Sequence, residues 1–305
     1  MEKQTAAGTT RIGWVGTGVM GLAMCSRIQA AGYKMTVYAR TPSKASALCA
    51  KGAVLVDSAK SVGEESDIVF TMVSNPTDVR GVVLGSKGIL AGMCPGGILV
   101  DMTSSQPSLA REIYAEARAK GCDSVDAPVS GGDKGARDGT LAILAGGHAE
   151  TVAKLGPLFE CMGSVTYLGP AGSGQSCKIA NQITTNANLV GLSEGLVFAH
   201  KAGLDVSKYL AAVSGGAAGS KAMDLFGPRM IRRDFAPGGF ADYMVKDLGM
   251  ALEEAESMGV SLPGAALGQQ LFISMKANGD GQLGSQALIT AIERLNGLYL
   301  PGALS

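Results

Sequence analysis

From residue 11 to about 169, short apolar runs alternate with longer stretches of helical spacing, and this rhythm restricts the fold more than any other feature. The runs cover residues 11–15, 35–39, 53–56, 67–73, 97–101, 123–126, 141–145 and 165–168. Apolar runs this short, separated by helix-length segments, predict a parallel sheet with crossover helices. Beyond Gly174 the texture changes, and about 130 residues hold helix-like stretches with little strand character. The first, roughly 174–202, is long enough to bridge to a second domain or to form its central helix. Later ones fall near 206–213, 221–232, 246–258, 263–277 and 284–297, separated by turns containing Gly or Pro. The predicted architecture is α/β: a doubly wound N-terminal sheet over residues 10–170, then an all-helical domain over 171–305.

Composition narrows the partners. With 26 basic and 26 acidic side chains, the chain carries no electrostatic footprint for nucleic acid or an anionic membrane surface, which leaves a small ligand. Six cysteines lie far apart with no C-x-x-C pair, and a chain of this size has no need of disulfide staples, so reduced thiols are expected. Two histidines and scattered cysteines argue against a metal site. Residues 1–10 include Glu2 and lack both an apolar core and an Arg-rich amphipathic pattern, and no run reaches the roughly 18 apolar residues of a membrane span. The expected address is cytoplasmic, with an organellar one left open.

Gly16-Thr17-Gly18-Val19-Met20-Gly21 follows the first apolar run and opens a helical pattern that ends near Gly32. Strand, glycines, helix and strand within thirty residues form a dinucleotide fingerprint, whereas G-x-G-x-x-G alone is weak. Gly16 would make the tight turn, Gly18 would admit the pyrophosphate and Gly21 would let the helix approach. The second strand ends in Arg40-Thr41-Pro42-Ser43-Lys44 rather than the acid that accepts hydrogen bonds from the ribose of NAD. Arg40, Lys44 and the Thr41 hydroxyl could meet a 2′-phosphate, so NADP(H) is preferred over NAD(H). The competing reading leaves Arg40 as solvated surface and lets either cofactor bind. Two further strand ends, Val73-Ser74-Asn75 and the segment holding Thr103, should open toward the same ligand.

Val125-Asp126-Ala127-Pro128-Val129-Ser130-Gly131-Gly132 ends a strand in a turn where Gly131 and Gly132 leave backbone N–H groups accessible and Ser130 adds a hydroxyl. Such a nest suits a carboxylate; the competing reading is an ordinary chain reversal. Lys178 falls in the first turns of the long predicted helix, with Asn181 and Gln182 three and four residues on and so on about the same face. A lysine desolvated beside a nicotinamide could pass a proton to or from a substrate oxygen as hydride moves. Composition alone favours an exposed helical lysine. His200 lies 22 residues along the same helix, about 33 Å away at 1.5 Å per residue, and cannot share the site.

Together these blocks resemble the β-hydroxyacid dehydrogenase family over nearly the whole chain, most of all the plant 3-hydroxyisobutyrate dehydrogenase-like proteins. Four motifs occur in order: the Gly16 to Gly21 fingerprint, the Asp126 to Gly132 turn, Gly172-Ser173-Gly174-Gln175-Ser176-Cys177-Lys178-Ile179-Ala180-Asn181, and Lys246-Asp247-Leu248. The resemblance implies a Rossmann-type NAD(P)-binding domain, a helical domain that builds a homodimer or homotetramer, and 3-hydroxyacid dehydrogenase or short-chain semialdehyde reductase activity. Lys178 would be the catalytic acid/base, Ser130, Gly131 and Gly132 the carboxylate holders, and Asn181 a substrate-orienting group. Thr103 and Lys246 match positions near the nicotinamide. Alternatives are glyoxylate or succinic semialdehyde reduction as the main activity, or a catalytically silent cofactor-binding module. The chain departs from its relatives in having Gly239 where they carry Phe, with Phe240 one place later, and Gln182 where many have Asn.

Overall fold

The computed structural model describes residues 5–302. Residues 1–4 of the stretch read for targeting signals, and the last three residues of the expected second domain, lie outside the described residues. Two compact units divide between Lys178 and Ile179, inside one long helix, Ser173–Lys201.

The first unit is built on a nine-stranded sheet. Its strands are β1 (Arg11–Val15), β2 (Lys34–Tyr38), β3 (Val54–Leu55), β4 (Ile68–Thr71), β5 (Ile98–Asp101), β6 (Asp123–Asp126), β7 (Val129–Ser130), β8 (Leu141–Gly147) and β9 (Gly163–Gly169). The first six run parallel in the order β3-β2-β1-β4-β5-β6. The order therefore reverses between β1 and β4, the switch point where ligands of such sheets bind, and the loop of residues 16–21 leaves β1 at that point.

The alternating runs do not foretell the far edge of the sheet. There β8 runs antiparallel to β6 and to the two-residue β7, while β9 returns parallel to β8. Only the seven-residue helix Gly132–Asp138 separates β7 from β8, and a parallel return needs a longer crossover. A two-residue strand is also too short to show any period.

Burial on both faces accounts for the unbroken apolar character of the central strands. On one face Ile12, Trp14, Phe70 and Val100 pack with Met24, Cys25 and Ile28 of the helix Val19–Ala30. On the other, Val15, Val69 and Leu99 meet Val62, Val83 and Ile113. Trp14 stacks on Phe70 with ring centroids 5.4 Å apart, and its indole N–H donates to the Gly16 carbonyl at 2.8 Å. The core thus shapes the loop that follows β1.

The second unit is helical: the rest of Ser173–Lys201, then Val206–Val213, Lys221–Ile231, Ala241–Met258, Pro263–Ala277 and Leu288–Asn296. Leu189, Leu196, Met230, Leu248, Phe272, Leu288 and Ile289 are fully buried at its centre. The helix expected to begin near 246 starts at Ala241, because Met244 and Leu248 continue one buried face. The stretch 284–297 is a short 3-10 turn, Ser285–Ala287, leading into the last helix, which Gly297 closes in the left-handed region. Arg233 makes a bidentate pair with the fully buried Glu293 at 2.6 and 2.8 Å, and the Leu300 N–H donates to the same carboxylate. Removing either partner would strand a buried charge.

Candidate active site

At the end of β1, Gly16 has φ +100°, and a Cβ there would stand 2.2 Å from the Met72 carbonyl. A Cβ on Gly21 would meet the Gly16 carbonyl at 2.1 Å, whereas at Gly18 it would find open space. Gly16 and Gly21 thus fix the turn, and Gly18 leaves an approach. Gly18 is the N-cap of the helix Val19–Ala30, whose first turn has no side-chain cap and no acid. Unscreened N–H groups and the positive end of the helix dipole suit a pyrophosphate, so these residues fit a dinucleotide. Thr17 is buried, and Val19 and Met20 begin the helix.

The other strand ends converge differently. Arg40 is 82% exposed and its guanidinium lies 3.5 Å from Asp78. Thr41 caps the 3-10 turn Pro42–Ala45 that carries Lys44, and both residues are exposed. The Val73 N–H donates to the Thr103 hydroxyl at 3.0 Å, which ties the ends of β4 and β5 together. Ser74 is exposed, and the Asn75 side chain caps the helix Pro76–Leu84 by accepting the Asp78 N–H at 2.8 Å.

Ser130 closes β7, and Gly131 and Gly132 follow with φ of 128° and 64°. Gly132 also opens the helix Gly132–Asp138, and both glycines are exposed. Both conformations would strain any other residue, and the turn leads into a helix start, where backbone N–H groups lack intrahelical partners.

Four residues upstream of Ser130, the buried Asp126 carboxylate reaches the first turn of Ser173–Lys201. It accepts the Gly172 N–H at 2.7 Å and the Gln175 N–H at 2.9 Å. Burial pushes this carboxyl up to about 7, with Asp101 adding to the rise while the two N–H bonds pull it down. Glycines make the approach feasible: a Cβ at Gly174 would lie 2.5 Å from the Asp126 carbonyl, and one at Gly146 would lie 2.8 Å from its carboxylate. Lys178 follows Gln175 by three residues and is half-buried. The helix is continuous to Lys201, so His200 lies 22 residues along it from Lys178.

Farther along that helix, in the second unit, the half-buried Asn181 donates to the Gln182 carbonyl oxygen at 2.9 Å, and Gln182 donates to Asp247 at 2.7 Å. Lys246 pairs with the same carboxylate at 2.9 Å. The extra methylene of Gln182 is what spans to Asp247. Phe240 and Tyr243 meet edge to face at 5.2 Å at the start of the helix that carries Lys246. Among the described residues no group of three His, Cys, Asp or Glu side chains could hold a metal, and no helix is long and apolar enough to cross a membrane.

Residues 11–169 match the family model for the NAD binding domain of 6-phosphogluconate dehydrogenase, and residues 172–292 that for NAD-binding of NADP-dependent 3-hydroxyisobutyrate dehydrogenase. Among curated proteins, "Probable 3-hydroxyisobutyrate dehydrogenase-like 3, mitochondrial" of Arabidopsis thaliana is 59% identical over 289 residues, covering 95% of this chain and 89% of that one. The chain belongs to the β-hydroxyacid dehydrogenase family. It is similar to 2-hydroxy-3-oxopropionate reductase of Escherichia coli (strain K12), at 40% identity over 93% of this chain and 97% of the relative. The solved structure of Mycobacterium tuberculosis 3-hydroxyisobutyrate dehydrogenase with L-serine superposes with a TM-score of 0.87 at 29% identity, covering 93% of this chain and 99% of that one. Membership makes this chain a nicotinamide-dependent oxidoreductase that acts on CH–OH groups, with the Rossmann-type sheet and helical unit expected of the family.

Sequence reasoning singled out Lys178 and the Ser130 turn but passed over the residues that join their segments. Asp126 and Gln175 stand inside the quoted motifs, yet no local pattern links position 126 to positions 172 and 175. The contacts of Asp247 and Tyr243 have no sequence signal either, because a helical period shows which face is apolar and not which polar groups meet there.

Proposed function

We propose that the chain interconverts a short 3-hydroxy acid and its aldehyde acid with NADP(H), with Lys178 as the general acid/base. One observation carries the reading: Asp126 binds the first turn of the Lys178 helix and leads directly into the Ser130-Gly131-Gly132 turn. Carboxylate nest and ammonium are therefore held by a single buried side chain. In this reading the N–H groups of Gly131 and Gly132 and the Ser130 hydroxyl hold the substrate carboxylate, and Asn181 orients the substrate. Lys178 gives a proton to the carbonyl oxygen in reduction and takes it back in oxidation. Thr103 and Lys246 serve the nicotinamide half, and residues 16–21 with Val73, Ser74 and Asn75 serve the rest of the cofactor. When bound, the nicotinamide supplies or accepts the hydride.

NADP(H) is favoured over NAD(H) by Arg40, Thr41 and Lys44, and the NADP-dependent family matched by residues 172–292 supports that preference. Names of relatives support small carboxylate-bearing substrates, and residues 10–170 and 171–305 then divide the work between cofactor binding and substrate binding with homodimer or homotetramer formation. The plant relative's mitochondrial name points to an organelle, with the cytoplasm as the alternative; fractionation decides between them.

The test is a screen of C2 to C5 semialdehydes, including glyoxylate, succinic, methylmalonate and tartronate semialdehydes, with NADPH and NADH. Lys178→Ala should lower kcat on the best substrate by about 10²- to 10⁴-fold, the usual worth of a positioned acid/base, with NADPH affinity unchanged. Wild-type turnover in that variant would sink the mechanism.

A further inference from the structure

Gln175 is fully buried, and its side chain and backbone are pinned at once. Its carbonyl oxygen accepts the Ser105 N–H at 2.9 Å, and its amide nitrogen donates to the Thr103 carbonyl at 2.7 Å. The carboxamide thus pairs with the 103–105 backbone as a neighbouring strand would. The Gln175 N–H is held by Asp126. The loop it grips is itself fixed: the Thr103 N–H donates to Asp101 at 3.1 Å, its hydroxyl accepts the Val73 N–H, and Asp101 also accepts the Thr71 hydroxyl at 2.6 Å. Lys178 sits three residues on, less than one helical turn, so whatever fixes the rotation of Gln175 about the helix axis fixes that of Lys178 as well.

We propose that Gln175 is a positioning residue for catalysis, its carboxamide setting the height and rotation of Lys178 against the Thr103–Ser105 loop. This rests on the reading of Lys178 as acid/base. An amide supplies a donor and an acceptor in one plane at this length whatever the pH. Asn is a methylene too short, Glu keeps the acceptor but loses the donor once ionised, and Met fills the space with neither. Placement errors of about 1 Å cost on the order of 10²-fold in rate, so the loss should fall on kcat.

The experiment compares Gln175→Met and Gln175→Glu with the wild-type enzyme on the best substrate of the screen. It measures kcat, KM, NADPH affinity by fluorescence titration, and amide hydrogen exchange of the cofactor-free protein. Gln175→Met should lose about 10- to 100-fold in kcat, with KM and NADPH affinity within about threefold. Gln175→Glu should recover part of the loss, and exchange should quicken at Ser105 and across residues 175–178. In single turnovers, Gln175→Met added to Lys178→Ala should cost nothing further, because a residue acting through an absent lysine has nothing left to position. If Gln175→Met does not fold, Gln175→Glu carries the same comparison. Wild-type kcat in either variant, or a full additional loss on top of Lys178→Ala, would overturn the proposal. A Lys178→Ala enzyme with unchanged turnover would instead overturn the reading on which it rests.

Discussion

Two helix starts in the first unit receive opposite treatments. The helix Val19–Ala30 begins at Gly18 with no side-chain cap and no acid in its first turn. The helix Ser173–Lys201 has the N–H groups at its start filled by the chain's own Asp126, buried and doubly bonded. Both present the same dipole and unpaired donors. The first leaves its donors open, as a dinucleotide phosphate would need; at the second a buried carboxyl is built in and fixes the helix start that leads to Lys178. The neighbourhood decides which use prevails. Gly18 faces open space, whereas Gly174 and Gly146 let Asp126 come so close that no Cβ would fit between.

Converting the open end into a filled one should have the largest effect. Gly18→Asp places a carboxylate at the N-cap, where the extended backbone and open surroundings accept it. NADPH affinity should fall by about 100-fold or more through repulsion of the pyrophosphate. The thermal midpoint should hold or rise slightly, since an acidic N-cap is worth about 1 kcal/mol. A titration showing unchanged affinity would mean that phosphate does not use this end.

The filled end has a pH signature. An unfolded chain releases the Asp126 proton near the ordinary 3.8 and the folded chain near 7, so folding takes up a proton between those values. Its contribution to stability is full below about pH 4, declines as pH rises toward 7, and is level above. Asp126→Asn loses one N–H bond at every pH but abolishes that slope. The difference in thermal midpoint, wild type minus variant, should therefore shrink by about 3 °C or more between pH 4 and pH 7. A difference independent of pH would show that the carboxylate is charged throughout.

The smallest effect is expected at the exposed end of β2. Arg40→Ala removes a guanidinium that is mostly in water and near Asp78. The ratio of kcat/KM with NADPH to that with NADH should drop by about tenfold, the worth of one charge-assisted hydrogen bond. No change in the ratio would leave Arg40 as solvated surface.

Legibility followed the range of the interactions. The strands β1, β2, β4, β5 and β6 and the helices Val206–Val213 and Pro263–Ala277 could be read because a period of 2 or 3.6, or an apolar run closed by Gly or Pro, is written locally. The antiparallel edge at β7 and β8 could not, since strand direction depends on the path between strands. At the site, Gly16 and Gly21 were legible as a fingerprint, and the structure supplies the reason in two carbonyls that leave no room for a Cβ. The acid/base reading of Lys178 rests on resemblance, because composition alone makes it an ordinary surface lysine. Asp126 with Gln175, and Gln182 with Asp247, were invisible because their partners lie 49 and 65 residues apart.

By itself the sequence determined a doubly wound sheet followed by helices, and a glycine turn of the dinucleotide type between the first strand and its helix. These follow from backbone sterics and burial, which act over a few residues. Tertiary structure alone decided that a buried aspartate would close the start of one helix while another start stayed open, and that a glutamine would bind the Thr103 loop. Hydrogen bonds of that kind have no sequence period, and they exist only where folding has removed water from both partners.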